Sequence, residues 1–310
     1  MKTLFTCTFL FLASLSMQGQ DYIESSSHND AVRGTTRQLQ YHPEGNEFVC
    51  INGKNKYTRA LYGSHSAFRL ETSDFPVFAA YDKTNSKNIS FRLNIALDSV
   101  AHCESRYSAG KRTYLLKDPS WGKGEVHIIV YALPDENEGG AIWMFETKGM
   151  PQYKELKCKV SDIKQPNLLR NGDMGVDPPD CFDAASSPKN SETFILKFKG
   201  RPAYFLVKSQ HGSIAKTTKE AEVIFHKAEK AALELNNRII INTPDAYLNT
   251  LGGALTAAAD GTWDGQTWLH GAIGWRMPLN GWRAGYIGDF LGWHDRARIH
   301  FDAYAASQVK

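Results

Sequence analysis

The chain has 310 residues, enough for two domains or for one domain and the opening part of another. With 42% hydrophobic, 22% charged and 12% aromatic residues it is not a disordered chain, a collagen or a membrane bundle, and it can bury a large core. Lys and Arg number 36 against 33 Asp and Glu, a formal charge of +3 with no basic run. That argues against nucleic acid or an anionic membrane as the main partner and points to neutral ligands.

At the N-terminus, Met1-Lys2 precedes an apolar run from Leu4 to Ala13, followed by small and polar residues up to Gln20. This is the pattern of a secretory signal peptide, and the run is too short for a permanent membrane span. Residues 1–20 are therefore read as a leader, and the protein is expected to be secreted or periplasmic. Cys7 leaves with the leader, and Cys50, Cys103, Cys158 and Cys181 remain. Four cysteines in an oxidising compartment fit two disulfides in any of three connectivities, and they equally fit buried thiols in a domain that needs no staples. With no Cys-x-x-Cys and no His/Cys ligand spacing, neither a metal nor a cofactor is expected.

From about residue 36 to 208 the pattern has period two. Ile89, Phe91, Leu93, Ile95 and Leu97 share one face, as do Val126, Ile128 and Val130, then Ile142 and Met144 against Trp143 and Phe145, then Phe194, Leu196 and Phe198. Turn signals separate the runs, at Asp82–Ser86, Asp118–Ser120, Pro134–Gly140 and Lys199–Pro202. Many short strands without helices between them predict an antiparallel β-sandwich over residues 21–212. Within it, residues 171–190 read as a long inserted loop.

The period changes after Ser213. Thr217-Thr218-Lys219-Glu220 is a capping box, and Ala221, Ile224/Phe225, Ala228, Ala231/Ala232 and Leu235 form a helical stripe up to Asn236-Asn237. This predicts a linker helix within residues 213–242 that packs on a neighbour through one face. At Thr243-Pro244-Asp245 a second helix is expected, with Thr243 as N-cap and a stripe of Tyr247/Leu248, Leu251, Ala254/Leu255 and Ala258. An irregular stretch, 261–288, should precede a third helix through Trp293, Ala297, Phe301 and Tyr304. That helix carries no stop signal, so residues 243–310 are read as the start of a larger, truncated helical domain.

Five of the seven tryptophans fall between 263 and 293, interleaved with glycine, arginine, histidine and aspartate. A saccharide site needs flat aromatic platforms for the apolar C–H faces of the ring, beside carboxylates and guanidinium groups for its hydroxyls. This segment supplies both, and glycines would let the backbone approach a ligand. The same tryptophans could instead fill the gap between two large helices. Candidate substrate contacts are Asp264, His270, Trp275, Arg276, Trp282, Arg283, Tyr286, Trp293 and His294. The expected partner is an oligo- or polysaccharide.

The run Trp275-Arg276-Met277-Pro278-Leu279-Asn280-Gly281-Trp282-Arg283-Ala284-Gly285-Tyr286-Ile287-Gly288-Asp289, with the helix start Thr243-Pro244-Asp245-Ala246-Tyr247-Leu248-Asn249, resembles the opening of the (α/α)6 barrel in secreted six-hairpin glycosidase-like proteins from Bacteroidetes. The stretch Arg59–Arg69 is similar to the sandwich of the same set. The resemblance implies a sandwich, a linker helix and then the first barrel helices, in a glycoside hydrolase acting on plant or host polysaccharides. A more distant similarity to α-L-rhamnosidases aligns Gly285, Tyr286, Gly288 and Asp289 with their Gly-aromatic-x-Gly-Asp ending. Trp282 then stands where those enzymes hold the general-acid glutamate, and no glutamate follows Glu234, so rhamnosidase activity is not implied.

Hydrolysis requires two carboxyl groups, about 5–5.5 Å apart for retention and 6.5–9.5 Å for inversion. Asp289 is the candidate catalytic residue, as an exposed carboxylate closing a glycine turn at a helix start, where it would equally serve as an N-cap. Asp295 reads as an ion-pair partner of Arg298 or Arg296, while His294 and Arg298 share a helical face. The acidic loop Asp173–Asp180 lacks the spacing of a calcium loop. The group His102-Cys103-Glu104-Ser105 lacks an oxyanion-hole motif. A non-catalytic glycan-binding protein, or an inactive fragment of a glycosidase, is the alternative to the enzyme.

Overall fold

A computed structural model describes residues 41–55, 59–62, 68–82, 88–93, 100–134, 139–150, 155–162, 191–197, 201–208, 214–215, 218–271, 277–279 and 281–308. The expected leader, Cys181, the loop 171–190, Ile95, Leu97 and Phe198 lie outside the described residues.

The strands are β1 His42–Glu44, β2 Glu47–Ile51, β3 Arg59–Tyr62, β4 Phe68–Thr72, β5 Val77–Asp82, β6 Asn88–Leu93, β7 His102–Ser108, β8 Lys111–Lys117, β9 Glu125–Ala132, β10 Gly140–Lys148, β11 Glu155–Asp162, β12 Ser191–Lys197, β13 Ala203–Lys208 and β14 Ile214–Ala215. They form an eight-stranded sheet, β1-β2-β7-β8-β9-β10-β13-β14, and a six-stranded sheet, β12-β11-β6-β5-β4-β3. Neighbours pair antiparallel, as between β8 and β9, where Tyr114 lies opposite Ile128. Between β8 and β9, Asp118 caps a short 3-10 turn, Pro119–Trp121, by accepting the Ser120 backbone N–H at 2.9 Å. The turn signal read there from Asp-Pro-Ser is thus realised.

One core joins the sheets. Leu61, Leu70 and Phe78 from the six-stranded sheet meet Tyr114, Val126, Ile128, Val130, Trp143 and Phe205 from the eight-stranded one. Phe78 makes edge-to-face contacts with Tyr114 at 5.7 Å and Trp143 at 5.4 Å between ring centroids, the arrangement aromatic quadrupoles favour. At one end Asp74 is fully buried and holds four groups. It accepts Tyr41 Oη at 2.8 Å and the Asn55 N–H at 2.9 Å, lies 3.6 Å from the Arg112 guanidinium, and accepts Cys103 Sγ through its carbonyl at 3.5 Å. A charge removed from water requires partners of this kind.

In β10 the two faces diverge: Trp143 and Phe145 enter the sandwich core, while Ile142 and Met144 point outward. The outer face is covered by α1, Thr218–Asn236, whose Ala221, Phe225, Ala228 and Ala232 pack on Tyr131, Leu133, Ile142 and Leu206. The stripe read from the sequence is the buried stripe. The linker helix is therefore a lid on a sheet that would otherwise expose aromatic and aliphatic side chains to water.

Three helices follow: α2 Ala246–Gly261, α3 Gly281–Phe290 and α4 His294–Ala306. The structure moves the cap of α2 from Thr243 to Asp245, whose carboxylate accepts the N–H groups of Tyr247 at 2.8 Å and Leu248 at 3.4 Å. A carboxylate there also meets the positive end of the helix dipole. Thr243 is instead held by Asn249, whose Oδ1 accepts the Thr243 N–H at 2.7 Å. The expected stripe of α2 is realised in part: Tyr247 and Ala254 pack half-buried on the sandwich core, but Leu248, Leu251 and Leu255 are exposed, and the fully buried positions are Thr250, Gly252, Gly253, Thr256, Ala257, Asp260 and Gly261. A Cβ at Gly252 would lie 2.5 Å from the Ile239 carbonyl oxygen, so backbone proximity, more than side-chain hydrophobicity, selects that face. The last helix ends at Ala306, where Ser307 Oγ and N–H both bond the Tyr304 carbonyl, earlier than the missing stop signal suggested.

Candidate functional site

After α2 the chain turns back on itself. Asp264 Oδ1 accepts the N–H groups of Gln266 at 2.9 Å and Thr267 at 2.7 Å, and Trp263 bridges Trp268 across the turn. The two indoles touch at 4.6 Å and are both 1% exposed. Trp268 donates Nε1–H to the Ala259 carbonyl at 3.1 Å, and its backbone N–H bonds His300 Nδ1 at 3.3 Å. On its other side, the His300 ring bonds the Gly281 carbonyl through Nε2 at 3.0 Å. Burial holds the His300 pKa below its ordinary value, so the ring stays neutral with its proton on Nε2. Trp263, Trp268 and Asp264 therefore build the joint between helices. For these two tryptophans the interior-filling alternative is the one realised.

The stretch expected to be irregular contains α3, a correction with a clear cause. Gly281-Trp282-Arg283-Ala284-Gly285-Tyr286-Ile287-Gly288 places all its small residues on one helical face: Ala284, Gly285 and Gly288 are buried. Against them lie Phe301, Trp268 and Ala297; a Cβ at Gly285 would stand 2.3 Å from the Phe301 ring. The glycines shared with the rhamnosidase pattern thus serve helix packing, and tertiary contact outweighs their weak helix propensity.

On the opposite face Trp282, Tyr286 and Phe290 recur every four residues, with 59%, 61% and 94% exposure. Trp282 and Tyr286 meet edge to face at 5.8 Å, and the Arg283 guanidinium sits 5.3 Å from the Trp282 centroid. Asp289 lies in the last turn of α3, not at a helix start, and its Oδ1 is 2.9 Å from His294 Nδ1. Trp293 occupies the N-cap position of α4 with no side-chain cap, so the capping role weighed for Asp289 is not filled by it. The exposed surface therefore brings together Trp282, Arg283, Tyr286, Asp289 and His294. Phe290 belongs to it as well; its spacing from Tyr286 would have shown this once the segment was read as helical.

Trp293 is half-buried and separate from that ridge in its contacts. Arg296 lies 4.5 Å and Arg238 5.2 Å from its ring centroid. Arg238 Nη1 donates to the Leu291 carbonyl at 2.7 Å, and Arg296 Nη1 to Asp260 Oδ1 at 2.7 Å. Neither Arg238 nor Asp260 was anticipated. A carboxylate closing the run Ala257-Ala258-Ala259-Asp260 was the available signal, since such a residue on a packed face needs a cation.

The remaining candidates disperse. His270 is exposed and its backbone N–H bonds the Met277 carbonyl at 2.9 Å. Asp295 pairs with Arg298 at 2.9 Å, as its spacing suggested. Trp275 and Arg276 lie outside the described residues. Among the described residues no group of three or more His, Cys, Asp or Glu is placed to hold a metal ion, and no helix is long and apolar enough to cross a membrane. Cys50, Cys103 and Cys158 are buried free thiols, the second of the two readings left open by the sequence.

Comparison with curated proteins and with solved structures finds no match. Residues 86–249, from β6 into the first turn of α2, match the family described as Domain of unknown function (DUF4450). That match covers more than half of the chain, which therefore belongs to the DUF4450 family.

Proposed function

We propose that this protein binds carbohydrate through the exposed face of α3, as a secreted or periplasmic protein of glycoside-hydrolase-like architecture whose described residues carry glycan binding rather than hydrolysis. The observation that carries this reading is the ridge of Trp282, Tyr286 and Phe290, with Arg283, Asp289 and His294 at its sides. Residues four apart on a helix rise about 6 Å, so the ridge extends about 12 Å and offers aromatic surface to successive rings of an oligosaccharide. Ring faces take the C–H surface of a sugar, while a guanidinium, a carboxylate and an imidazole bond its hydroxyls.

The helices are read here as the first hairpins of an (α/α)6 barrel. In support, the exposed stripe Leu248, Leu251 and Leu255 on α2 has the form of a face that packs on further helices. The hydrolytic reading is favoured by one observation: Asp289 is exposed and its carboxylate is aligned by His294. It requires a second carboxyl group at the separations that retention or inversion demands.

The test is affinity electrophoresis and calorimetry of the full chain on plant and host glycans, comparing wild type with Trp282→Ala and Asp289→Asn. Trp282→Ala is expected to lose about tenfold or more in affinity, the size of a truncated aromatic anchor. Unchanged affinity in both variants for every glycan bound by wild type would refute the assignment. Loss of turnover in Asp289→Asn with affinity retained would establish the hydrolytic reading instead.

A further inference from the structure

A second concave site lies at the seam between α1, the β7–β8 turn with the end of β9, and the helices α2 and α4, and holds a half-open cavity of about 250 Å³. A single water takes about 30 Å³, and ligand pockets start near 300 Å³, so this volume suits one ring-sized molecule and not a chain. Its walls differ in chemistry. One is made of short aliphatic groups, including Ala132, Ala231 and Leu235; the other carries Glu234, Arg238, Asp260 and Arg296 around the Trp293 indole.

The polar wall is already arranged. Arg296 is fixed by Asp260, which is 93% removed from solvent, and Arg238 is fixed by the Leu291 carbonyl, both at 2.7 Å. Each guanidinium has five N–H donors and each carboxylate several acceptor sites, so these bonds leave donors and acceptors for a ligand. The lining carries two cations and two anions, Arg296 paired with Asp260 and Glu234 standing 3.9 Å from the exposed Lys230, so the pocket has little net sign and little preference for a charged guest. An aliphatic wall facing a wall of paired donors and acceptors is complementary to a molecule with an apolar face and a rim of hydroxyls.

We propose that this seam is a binding site for one neutral polyhydroxylated ring of pyranose size. The site is separate from the α3 ridge and stands whether or not that ridge binds glycans. Ala231 lines it and carries no polar contact, so enlarging that side chain fills the space without removing a bond.

The experiment is saturation-transfer-difference NMR and titration of the full chain with methyl glycosides of glucose, galactose, mannose, xylose and rhamnose, and with methyl glucuronide as the anionic counterpart. At least one neutral glycoside is expected to bind, with affinity reduced about tenfold or more by Ala231→Leu and unchanged by Asp295→Asn, an exposed position that does not line the cavity. Thermal melting establishes that the Ala231→Leu protein is folded; if it is not, Arg238→Leu, at an exposed position, is used in its place and the same loss is expected. The proposal is overturned if no neutral glycoside binds, if methyl glucuronide binds more tightly than all of them, or if the pocket variant binds as well as wild type. Loss of glycoside binding in Trp282→Ala with Ala231→Leu unaffected would place the sugar on the ridge and overturn the pocket alone.

Discussion

Gly288 lies against the indole of Trp268 so closely that a Cβ there would stand 2.6 Å from the ring and 3.0 Å from Ala297. This contact sets the approach of α3 to the turn after α2 and to α4. Gly288→Ala is expected to destabilise by about 1–3 kcal/mol through overpacking, measured by urea titration. At Gly281 an added Cβ meets nothing within 4 Å, so Gly281→Ala should be neutral or stabilise by up to about 1 kcal/mol.

The tryptophans of the segment are expected to divide by experiment as they do in space. Trp263→Ala removes a fully buried ring and should cost about 3–5 kcal/mol. Trp282→Ala removes an exposed ring and should leave the melting temperature nearly unchanged while glycan affinity falls. A pair of variants with equal melting temperatures would contradict the division.

The Asp74–Arg112 pair is sealed in the sandwich, where Arg112 Nη2 also donates to the Ser73 carbonyl at 2.8 Å and to Ser105 Oγ at 3.2 Å. Arg112→Met leaves the carboxylate without its cation and is expected to cost about 3–5 kcal/mol. The double variant Arg112→Met/Asp74→Asn should recover part of that loss, which a double-mutant cycle measures directly.

His300 links stability to pH. Its pKa in the folded protein is below the ordinary value of 6.5 because burial disfavours the cation, with the Gly281 carbonyl and Asp264 acting in the opposite direction. Between the folded and unfolded values the unfolded chain binds more protons, so stability is complete above about pH 6.5 and declines as pH falls toward the folded value. Protonation would also place a hydrogen on Nδ1 against the Trp268 N–H. Urea midpoints measured between about pH 5 and pH 8 should rise with pH in wild type and flatten in His300→Gln.

Burial pushes the Cys103 thiol up to about 12 and raises that of Cys158 further. Since the thiolate is the reactive species, neither should react with a disulfide reagent at neutral pH until the protein unfolds. Reagent consumed by Cys103 in the native state, located by mass spectrometry, would contradict its burial.

Much of the fold was legible in the sequence because it follows local periodicity. Alternation placed Val126, Ile128 and Val130 on one buried face, Asp-Pro-Ser marked a turn, and the capping box with its alanine and phenylalanine stripe located α1 and its packed face. Among the site residues, Trp282, Arg283, Tyr286, Asp289 and His294 were identified as candidates and lie on or beside one exposed surface. Composition could not separate them from Trp263 and Trp268, because an indole is equally suited to stacking on a sugar and to filling a joint.

Periodicity placed Tyr247 and Ala254 of α2 correctly but misread its leucines, which are exposed, and missed α3 altogether. Glycine counts against a helix when only local propensity is weighed, yet at Gly252, Gly253, Gly285 and Gly288 a neighbouring carbonyl, amide or ring comes too close for a side chain. The linear chain thus determined which segments alternate, which are amphipathic and where aromatic surface accumulates, since those depend on neighbours in sequence. Which aromatic rings face water, which carboxylates are held by arginines, and that Arg238, Asp260 and Arg296 converge on Trp293 around a cavity were decided by tertiary structure, because these contacts join residues up to 55 positions apart whose meeting no local spacing encodes.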